Sequence, residues 1–503
     1  MDVLRHTYRQ LLIAAITVIV SLLSPQSIGA QMPIVYSLRP AVPPDSVDVA
    51  EAAKKHFWRP VGEIAGFNVL LATYNRIKKG HNPSYHVTLK SLRRNLTHGF
   101  VWDNDHLITN TFAHPYHGSL YFNNARSSGY NFWQSGAFAL GGSLMWEYLM
   151  ESEYPSINDF VSTGIGGAAV GEVLYRSSDA VIDNRTWGLE RVAREAAALV
   201  IDPMRGFNRI VTGEMWRRSA TSGKVFGVPD IGVQFALGPK ALMYSHHWND
   251  IKAGMALRMD LEYGNRFDVR DAKPYDYFTM RAEMNLVGSQ PTLSQVNIKG
   301  RLLGRELLEK KDTYVSLGLY QHFDYYDSDT IHELNRVPYK LGIPASLGAG
   351  VLVRDVDRRG WIFDAGLHAN AVVLGGVLSD YFYVGNRCYN WASGFSVKGG
   401  VNAVFRRKKL SFSLSHEFYR LFTWAGYKYG TDLRMVDTHT FSVMGDISQC
   451  SFHISEFRAD YRINRHLYAS LVFDNYLRHT NYRYFPSVTS STCALRIMAT
   501  YKL

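Results

Sequence analysis

From about Val228 to the C-terminus, apolar and polar side chains alternate with a period of two residues. In segment 255–263, Met, Leu and Tyr side chains alternate with Ala, Arg, Asp and Glu, and segments 278–286, 296–302 and 457–463 repeat the pattern. Successive side chains of a β-strand point to opposite faces, so each segment predicts a strand with one apolar and one polar face. Such strands must bury their apolar faces either against a second sheet or in lipid.

Three features favour a membrane barrel over a soluble sandwich. The alternating segments approach the ~9–11 residues of a tilted transmembrane strand. Aromatic residues cluster where the segments end, as at 325–326, 381–383 and 482–485, which is typical of interface girdles. The chain also terminates inside an alternating segment, 495–503. We therefore predict an antiparallel transmembrane β-barrel of about 12 strands over residues 228–503, with an even strand number.

The polar face of these strands carries charges of both signs. Such a lining is compatible with a solvated pore, a closed ion-pair network or a docking surface for a plug, and a barrel of ~12 strands leaves little free space inside. The residues of this face are Arg258, Asp260, Glu262, Arg281, Glu283, Lys299, Arg301, Arg458, Asp460 and Arg462.

The N-terminus predicts export. Basic residues, an apolar run and a small-residue end at Ala30 form a signal peptide over residues 1–30, and a Pro-rich linker follows over 31–55. A net charge of +11 without a nucleic-acid motif indicates anionic lipid headgroups rather than nucleic acid. A mean hydropathy of -0.15 excludes a polytopic helical membrane protein. We expect the cell outer membrane as the location, with its lipid and the barrel assembly machinery as partners.

Residues 56–221 predict a helical domain, which makes the chain an α+β protein. None of the helices has the composition of a membrane span; segment 129–150, for example, contains Asn131, Gln134 and Glu147. The predicted helices are 61–74, 129–150, 157–175 and 188–201, with breaks at Pro83, Pro115, Pro155 and Pro203.

Four short motifs lie within residues 102–183 of this domain. They are HPxxG from His114, WExxxE from Trp146, PSxxD from Pro155 and GGxxxGE from Gly166. Together they resemble a domain of unknown function, DUF3943, found in exported proteins of Gram-negative bacteria. The resemblance implies an association with the outer membrane and implies no established activity.

The same motifs supply the candidate site residues. His114, His117, Glu147, Glu151 and Glu172 offer the nitrogen and oxygen atoms of a metal site, or the base and orienting carboxylate of a hydrolase. The spacing matches no specific metal or hydrolase signature, so the identity of any metal stays open and no cofactor is predicted. The alternative is a buried polar network in which Arg126 and Arg176 pair with the glutamates. Ser156 and Asp159 predict a helix N-terminal cap. Arg126, Asp159 and Arg176 are the candidate binding residues.

Three functions remain open from the sequence. The first is an outer-membrane barrel, structural or passing small solutes, with the helical domain in the lumen or beneath it on the periplasmic side. The alternative is an outer-membrane enzyme that modifies lipid or glycan with the His/Glu set. In the third, loops near Tyr325 and Arg387 contact other surface components. The small-molecule ligand is not identified by the sequence.

Overall fold

The structure of the protein is a computed structural model. It describes residues 55–78, 85–244, 247–270, 272–288, 290–310, 312–328, 337–357, 360–405, 409–437 and 442–503. The predicted signal peptide, and the predicted linker up to residue 54, lie outside the described residues.

The C-terminal half forms a closed antiparallel barrel. Across the described residues, twelve strands each pair with the next strand in sequence, and the last strand pairs with the first. This confirms the predicted α+β architecture with a barrel of about twelve strands. The strands are β1 Ile231–Tyr244, β2 His247–Tyr263, β3 Phe278–Val287, β4 Leu293–Glu309, β5 Thr313–Asp327, β6 Lys340–Asp357, β7 Trp361–Leu378, β8 Tyr389–Phe405, β9 Leu410–Phe422, β10 Ser448–Arg462, β11 Leu467–Tyr482 and β12 Val488–Lys502.

The two faces of the barrel wall follow the alternation in the sequence. Arg258 and Arg496 point into the lumen and are 1% exposed, whereas Leu367 and Ile497 point outward and are 58% and 61% exposed. Charges inside and apolar side chains outside are the reverse of a soluble barrel, whose interior is its apolar core.

The N-terminal half is helical. Its elements include three π-helical turns, each continuous with an α-helix. The elements are α1 Trp58–Lys78, α2 Leu89–His98, a π turn Thr109–Ala113, α3 His114–Ser127, α4 Phe132–Met145, a π turn Trp146–Met150, α5 Ile157–Val161, a π turn Ser162–Gly166, α6 Gly167–Val181, α7 Gly188–Ile201 and α8 Pro203–Val211. A 3-10 turn, Leu433–Met435, lies between β9 and β10.

Of the predicted helix breaks, the one at Pro115 is wrong and the one at Pro203 is confirmed. Pro115 lies in the first turn of α3, directly after the π turn, so the helix passes through it. At Pro203 the chain does break: α7 ends at Ile201 and Pro203 begins α8, where the Asp202 carboxylate accepts hydrogen bonds from the backbone N–H groups of Met204 and Arg205. Proline at the start of a helix removes an N–H that has no intrahelical acceptor, and therefore does not interrupt the helix.

The helical domain packs against the outer wall of the barrel. His322 and Asp324 line the lumen, so their strand neighbours Gln321 and Phe323 face outward. Gln321 Nε2 donates a hydrogen bond of 2.8 Å to the Ile165 carbonyl, and the Phe112 ring lies 5.8 Å from that of Phe323. The expectation of a domain in the lumen or beneath it is therefore wrong.

A physical difference between the two faces explains this position. The outward face of β2 to β8 supplies an apolar wall that an apolar helix can cover, and Trp102 packs in the same way 6.0 Å from Trp391 of β8. The lumen presents charges, and a helix placed there would separate them from their partners. Within the part of the chain that the structure describes, no helix is long and apolar enough to cross a membrane.

Candidate functional site

Two glycines from different motifs set the geometry of the helical domain. Gly118 of α3 and Gly167 of α6 are in backbone contact, and a Cβ added to Gly167 would lie 2.7 Å from the Gly118 Cα. Gly171, one helical turn after Gly167, faces the Phe122 ring in the same way. Small residues at these positions allow the two helices to approach closely, which brings the ends of α3 near polar groups of neighbouring elements.

At the N-terminal end of α3, His114 joins two carboxylates. Its Nε2 atom lies 3.2 Å from Asp159 Oδ1 and 3.8 Å from Asp105 Oδ2. Asp159 is 6% exposed and is also bonded by Asn158, whose Nδ2 donates to its Oδ1 at 2.8 Å. The structure therefore places the predicted binding residue Asp159 beside the predicted catalytic residue His114.

Asp103 extends this cluster and was not predicted as a site residue. Asn158 Nδ2 donates to Asp103 Oδ1 at 2.7 Å, and Asn110 Nδ2 donates to Asp103 Oδ2 at 3.0 Å. Tyr389 of the barrel donates its hydroxyl to the Asp105 carbonyl at 2.9 Å. The turn that carries Asp103 and Asp105 is tied to the barrel wall by Tyr389. The polar run before the apolar Leu107 was the available signal in the sequence.

The two glutamates of the WExxxE motif lie next to this cluster. Glu147 Oε2 accepts the backbone N–H of Ser156 at 2.8 Å, and Glu151 Oε1 accepts the indole N–H of Trp146 at 2.6 Å. Ser156 caps α5 as predicted, with its Oγ accepting the Asp159 N–H at 3.4 Å. In a capping box the Asp159 carboxylate would accept the Ser156 N–H in return. Here Glu147 accepts that N–H, because the Asp159 carboxylate faces His114.

His117 lies among aromatic side chains beside these carboxylates. Its Nε2 lies 2.7 Å from the Tyr121 hydroxyl, which also donates to Asn68 Oδ1. Its ring lies 5.0 Å from the Trp146 ring, edge to face. Burial, together with the nearby His114, lowers the pKa of His117 to about 3, so the His117 ring is neutral at physiological pH.

Burial and mutual repulsion change the protonation of the cluster. Burial raises the pKa of Glu147 to about 8, with a contribution from Glu151, whose own pKa burial raises to about 7. Burial disfavours the charged form of His114, but Asp159, followed by Asp105 and Glu147, outweighs it and raises the His114 pKa to about 10. Burial also raises the pKa of Asp159, so at neutral pH the cluster holds protons on His114 and on carboxyl groups that include Glu147, an arrangement that can donate protons.

Glu172 lies apart from this group. Its carboxylate accepts from Arg126 Nε at 2.7 Å, Arg126 Nη2 at 2.9 Å and Arg176 Nε at 2.8 Å, and it is fully buried. Arg126 is twelve residues along α3 from His114, which corresponds to ~18 Å of helix. Four of the five candidate residues thus converge, whereas Glu172 forms the buried network with Arg126 and Arg176. Among the described residues, no group of three His, Cys, Asp or Glu side chains has the geometry to hold a metal ion.

The lumen forms a second candidate site. It encloses a cavity of about 500 Å³ lined by charged groups of both signs from the strands. Ion pairs cross it: Arg258 Nη1 of β2 lies 2.6 Å from Glu456 Oε2 of β10, and Arg496 Nη2 of β12 lies 2.9 Å from Glu283 Oε2 of β3. The paired charges satisfy each other and narrow the space between the strands.

An aromatic layer occupies the lumen beyond this cavity, toward the end where β5 joins β6. Tyr339, from the segment between these strands, stacks on Tyr476 with ring centroids 4.5 Å apart and lies 5.5 Å from Phe452. Next to it, Arg478 Nε donates to the Pro338 carbonyl at 2.9 Å and Arg478 Nη1 lies 2.7 Å from Asp380 Oδ2. Side chains therefore close the cavity at the β5–β6 end, and we call this one-ended cavity the cup.

The two residues that marked possible partner-binding loops are buried. Tyr325 is 1% exposed at the end of β5, and its ring lies 4.6 Å from Phe112. Arg387 is also 1% exposed and donates to the carbonyls of Asp103 and Met444. Both side chains make contacts within the protein and are not exposed to an external partner.

The comparisons with known proteins agree with the resemblance found in the sequence. The model of the DUF3943 family, a domain of unknown function, matches residues 99–204, which include all four motifs. A search of curated proteins returned no match.

The similar solved structures are outer-membrane barrels. The NanC porin is 11% identical with a TM-score of 0.27, covering 55% of this chain and 100% of that chain. The outer membrane channel DcaP of Acinetobacter baumannii is 10% identical with a TM-score of 0.21, covering 55% and 97%. The Pseudomonas putida toluene transporter TodX is 7% identical with a TM-score of 0.21, covering 56% and 91%. Similarity at this level carries no argument about transport or substrate.

Proposed function

We propose that this protein is an outer-membrane β-barrel whose lumen is a charged cup, with a helical domain attached to the outer wall. The observation that carries the proposal is the inverted wall: paired charges such as Arg258 and Glu456 face inward, and apolar residues such as Ile497 face outward. An apolar outer band on a closed barrel suits lipid hydrocarbon, because each described strand pairs with a neighbour on both sides and the sheet has no open edge.

The aromatic layer makes this barrel restrictive. Tyr339, Phe452 and Tyr476 occupy the lumen between the cup and the β5–β6 end, so passage requires the Tyr339 segment to move. The role that fits best is envelope structure with passage limited to small solutes when that segment is displaced.

The membrane assignment is tested with the full chain. Cells expressing it are fractionated, and the protein is compared with and without heating on a detergent gel. We expect the chain in the outer-membrane fraction and a slower-migrating band after heating, since a folded barrel resists detergent. A soluble fraction and heat-independent mobility would contradict the proposal.

The restricted lumen is tested by conductance in planar bilayers. We expect low conductance for the wild type and higher conductance for Phe452→Ala, which removes an inward ring from the aromatic layer. Phe457→Ala on the same strand is the matched control, because Phe457 faces outward and is 39% exposed. Equal conductance in both variants, or a wide-open wild type, would refute the closed cup.

The protonated Glu147 beside His114 favours an enzyme as a second candidate. Their pKa values of about 8 and 10 supply proton donors at neutral pH, which general acid chemistry on a lipid or glycan requires. The candidate catalytic residues are then His114, His117, Glu147 and Glu151. Incubating the purified chain with an outer-membrane lipid extract should yield a product by mass spectrometry that Glu147→Gln abolishes and Glu190→Gln, at an exposed position, does not; the absence of any product in the wild type would dismiss this candidate.

A further inference from the structure

A second cavity of about 500 Å³ lies in the helical domain, away from the His114 cluster and the lumen. It is bounded by the start of α1, the C-terminal end of α3, α8 and the segment 214–225 that leads to β1. Among the described residues that line it, Glu214 is the single carboxylate. The basic residues of the lining are Arg59, Arg126, Arg205, Arg209, Arg217 and Lys224.

Arg205 is the strongest indication that the cavity receives a ligand. Its side chain is 5% exposed, its guanidinium lies 4.2 Å from the Tyr175 ring centroid, and its Nη2 pairs with Asp179. Its Nε and Nη1 atoms are buried and have no hydrogen-bond partner among the described residues. Buried guanidinium N–H groups without acceptors are costly, so an acceptor of several oxygens in the cavity would stabilise this arrangement.

Carboxylates behind the cavity wall hold the inner arginines in place. Arg209 Nη2 lies 2.8 Å from Glu195 Oε1, and Glu172 and Asp179 hold Arg126 and Arg205 in the same way. Because these carboxylates lie behind the wall, they fix the direction of each guanidinium. Fixed guanidinium groups from different helices are the arrangement that recognises phosphate oxygens.

Two exposed tryptophans are sequence neighbours of lining residues. Trp58 is 78% exposed and precedes Arg59, and Trp216 is 73% exposed and precedes Arg217. Tryptophan beside basic residues is typical of surfaces that meet lipid headgroups and acyl chains together. We propose that the cavity binds the phosphate of an anionic amphiphile, with the apolar rim contacting its hydrocarbon.

This inference does not rest on the proposed passage role of the barrel. The probes are dihexanoyl phosphatidic acid, which has an anionic headgroup, dihexanoyl phosphatidylcholine, which is zwitterionic, and inorganic pyrophosphate, which has no hydrocarbon. Each is titrated by calorimetry into the full chain in a non-ionic detergent. We expect saturable binding of phosphatidic acid, at least tenfold weaker binding of phosphatidylcholine, and weaker binding as salt increases.

Two matched double variants each remove one arginine and one lysine. One pair lines the cavity, and the other pair lies at the far end of α1. The double variant Arg59→Gln/Lys224→Gln removes two cavity cations and should weaken phosphatidic acid binding at least tenfold. Arg76→Gln/Lys78→Gln removes two exposed cations from the far end of α1 and should leave it unchanged. Arg205→Gln should abolish binding if it folds, and the double variant decides the question if it does not.

The outcomes separate the possible ligands. Phosphatidic acid binding that exceeds pyrophosphate binding supports the amphiphile, whereas pyrophosphate binding of equal strength overturns the amphiphile and retains a soluble phosphate ligand. No binding of either probe, or the same loss in both double variants, overturns the site.

Discussion

His114 Nε2 lies 3.2 Å from Asp159 Oδ1, and this contact joins the HPxxG motif to the PSxxD motif. The other motifs meet in the same manner, since Glu147 accepts the Ser156 N–H and Gly118 meets Gly167. The residues that define the family resemblance are therefore the residues that hold this helical domain together. A motif of this kind can be structural, and catalysis requires a separate demonstration.

The Gly118–Gly167 contact predicts a steric effect. We expect Gly167→Ala to reduce the stability of the helical domain by about 1–3 kcal/mol, because the added Cβ would meet the Gly118 backbone. The measurement is hydrogen exchange of α3 and α6 in the detergent-folded full chain. Gly136→Ala is the control: nothing lies within 4 Å of its added Cβ, so exchange should be unchanged or slower. Equal effects of the two variants would contradict the close approach.

The raised pKa of Glu147 predicts a pH dependence. Folded Glu147 keeps its proton up to about pH 8, whereas the unfolded chain releases it near 4.5, so the folded state binds more protons between these values. The local stability should therefore fall as pH rises through this window, by at most about 1.4 kcal/mol per pH unit for one proton. His114, whose pKa rises from 6.5 to about 10, adds a further loss across that higher range.

Hydrogen exchange of α3 and α5 as a function of pH, corrected for the intrinsic exchange rate, measures this slope. Glu147→Gln should make the slope between pH 5 and 8 shallower by the contribution of one proton, because the amide does not titrate whereas Glu151 and His114 still do. Glu190→Gln, whose side chain is 55% exposed, should leave it as in the wild type. A wild-type stability that rises across this window would show that the sign is wrong.

The Glu172 network predicts a large loss of stability on neutralisation. Glu172→Gln would leave the buried guanidinium groups of Arg126 and Arg176 without their anion, which costs about 3–5 kcal/mol for a buried pair. Denaturant titration of the helical signal is the measurement. Glu190→Gln breaks the exposed pair with Arg194 and should cost less than about 1 kcal/mol. Similar midpoints for the two variants would show that Glu172 is not a buried anchor.

The Arg478 contacts predict a change in the barrel. Arg478→Gln should free the Pro338–Tyr339 segment, since the side chain no longer pairs with Asp380, and should raise the frequency of conducting events in bilayers. Arg420→Gln provides the control, because Arg420 contacts Ser451 and Gln449 on the outer side of the wall. Conductance that did not change in Arg478→Gln would mean that this contact does not hold the aromatic layer.

Much of the fold was predictable from the sequence. The period of two assigned Arg258 and Leu257 to opposite faces, and the capping role of Ser156 followed from its position before α5. These predictions succeeded because side-chain direction in a strand and capping at a helix start depend on residues a few positions apart. The break at Pro203 was predicted correctly, whereas Pro115 was misjudged because a proline in the first turn of a helix does not interrupt it.

By itself, then, the sequence determined a helical domain with four motifs and a barrel of about twelve alternating strands. Only the tertiary structure decided that the helices cover the outer wall at Phe323 and that Tyr339 lies in the lumen. It also decided that Glu172 pairs with Arg126 and does not belong to the His114 cluster. Local periodicity fixes which face of an element is apolar, but it does not specify which distant surface covers that face, and the same limit applies to the partners of a buried charge.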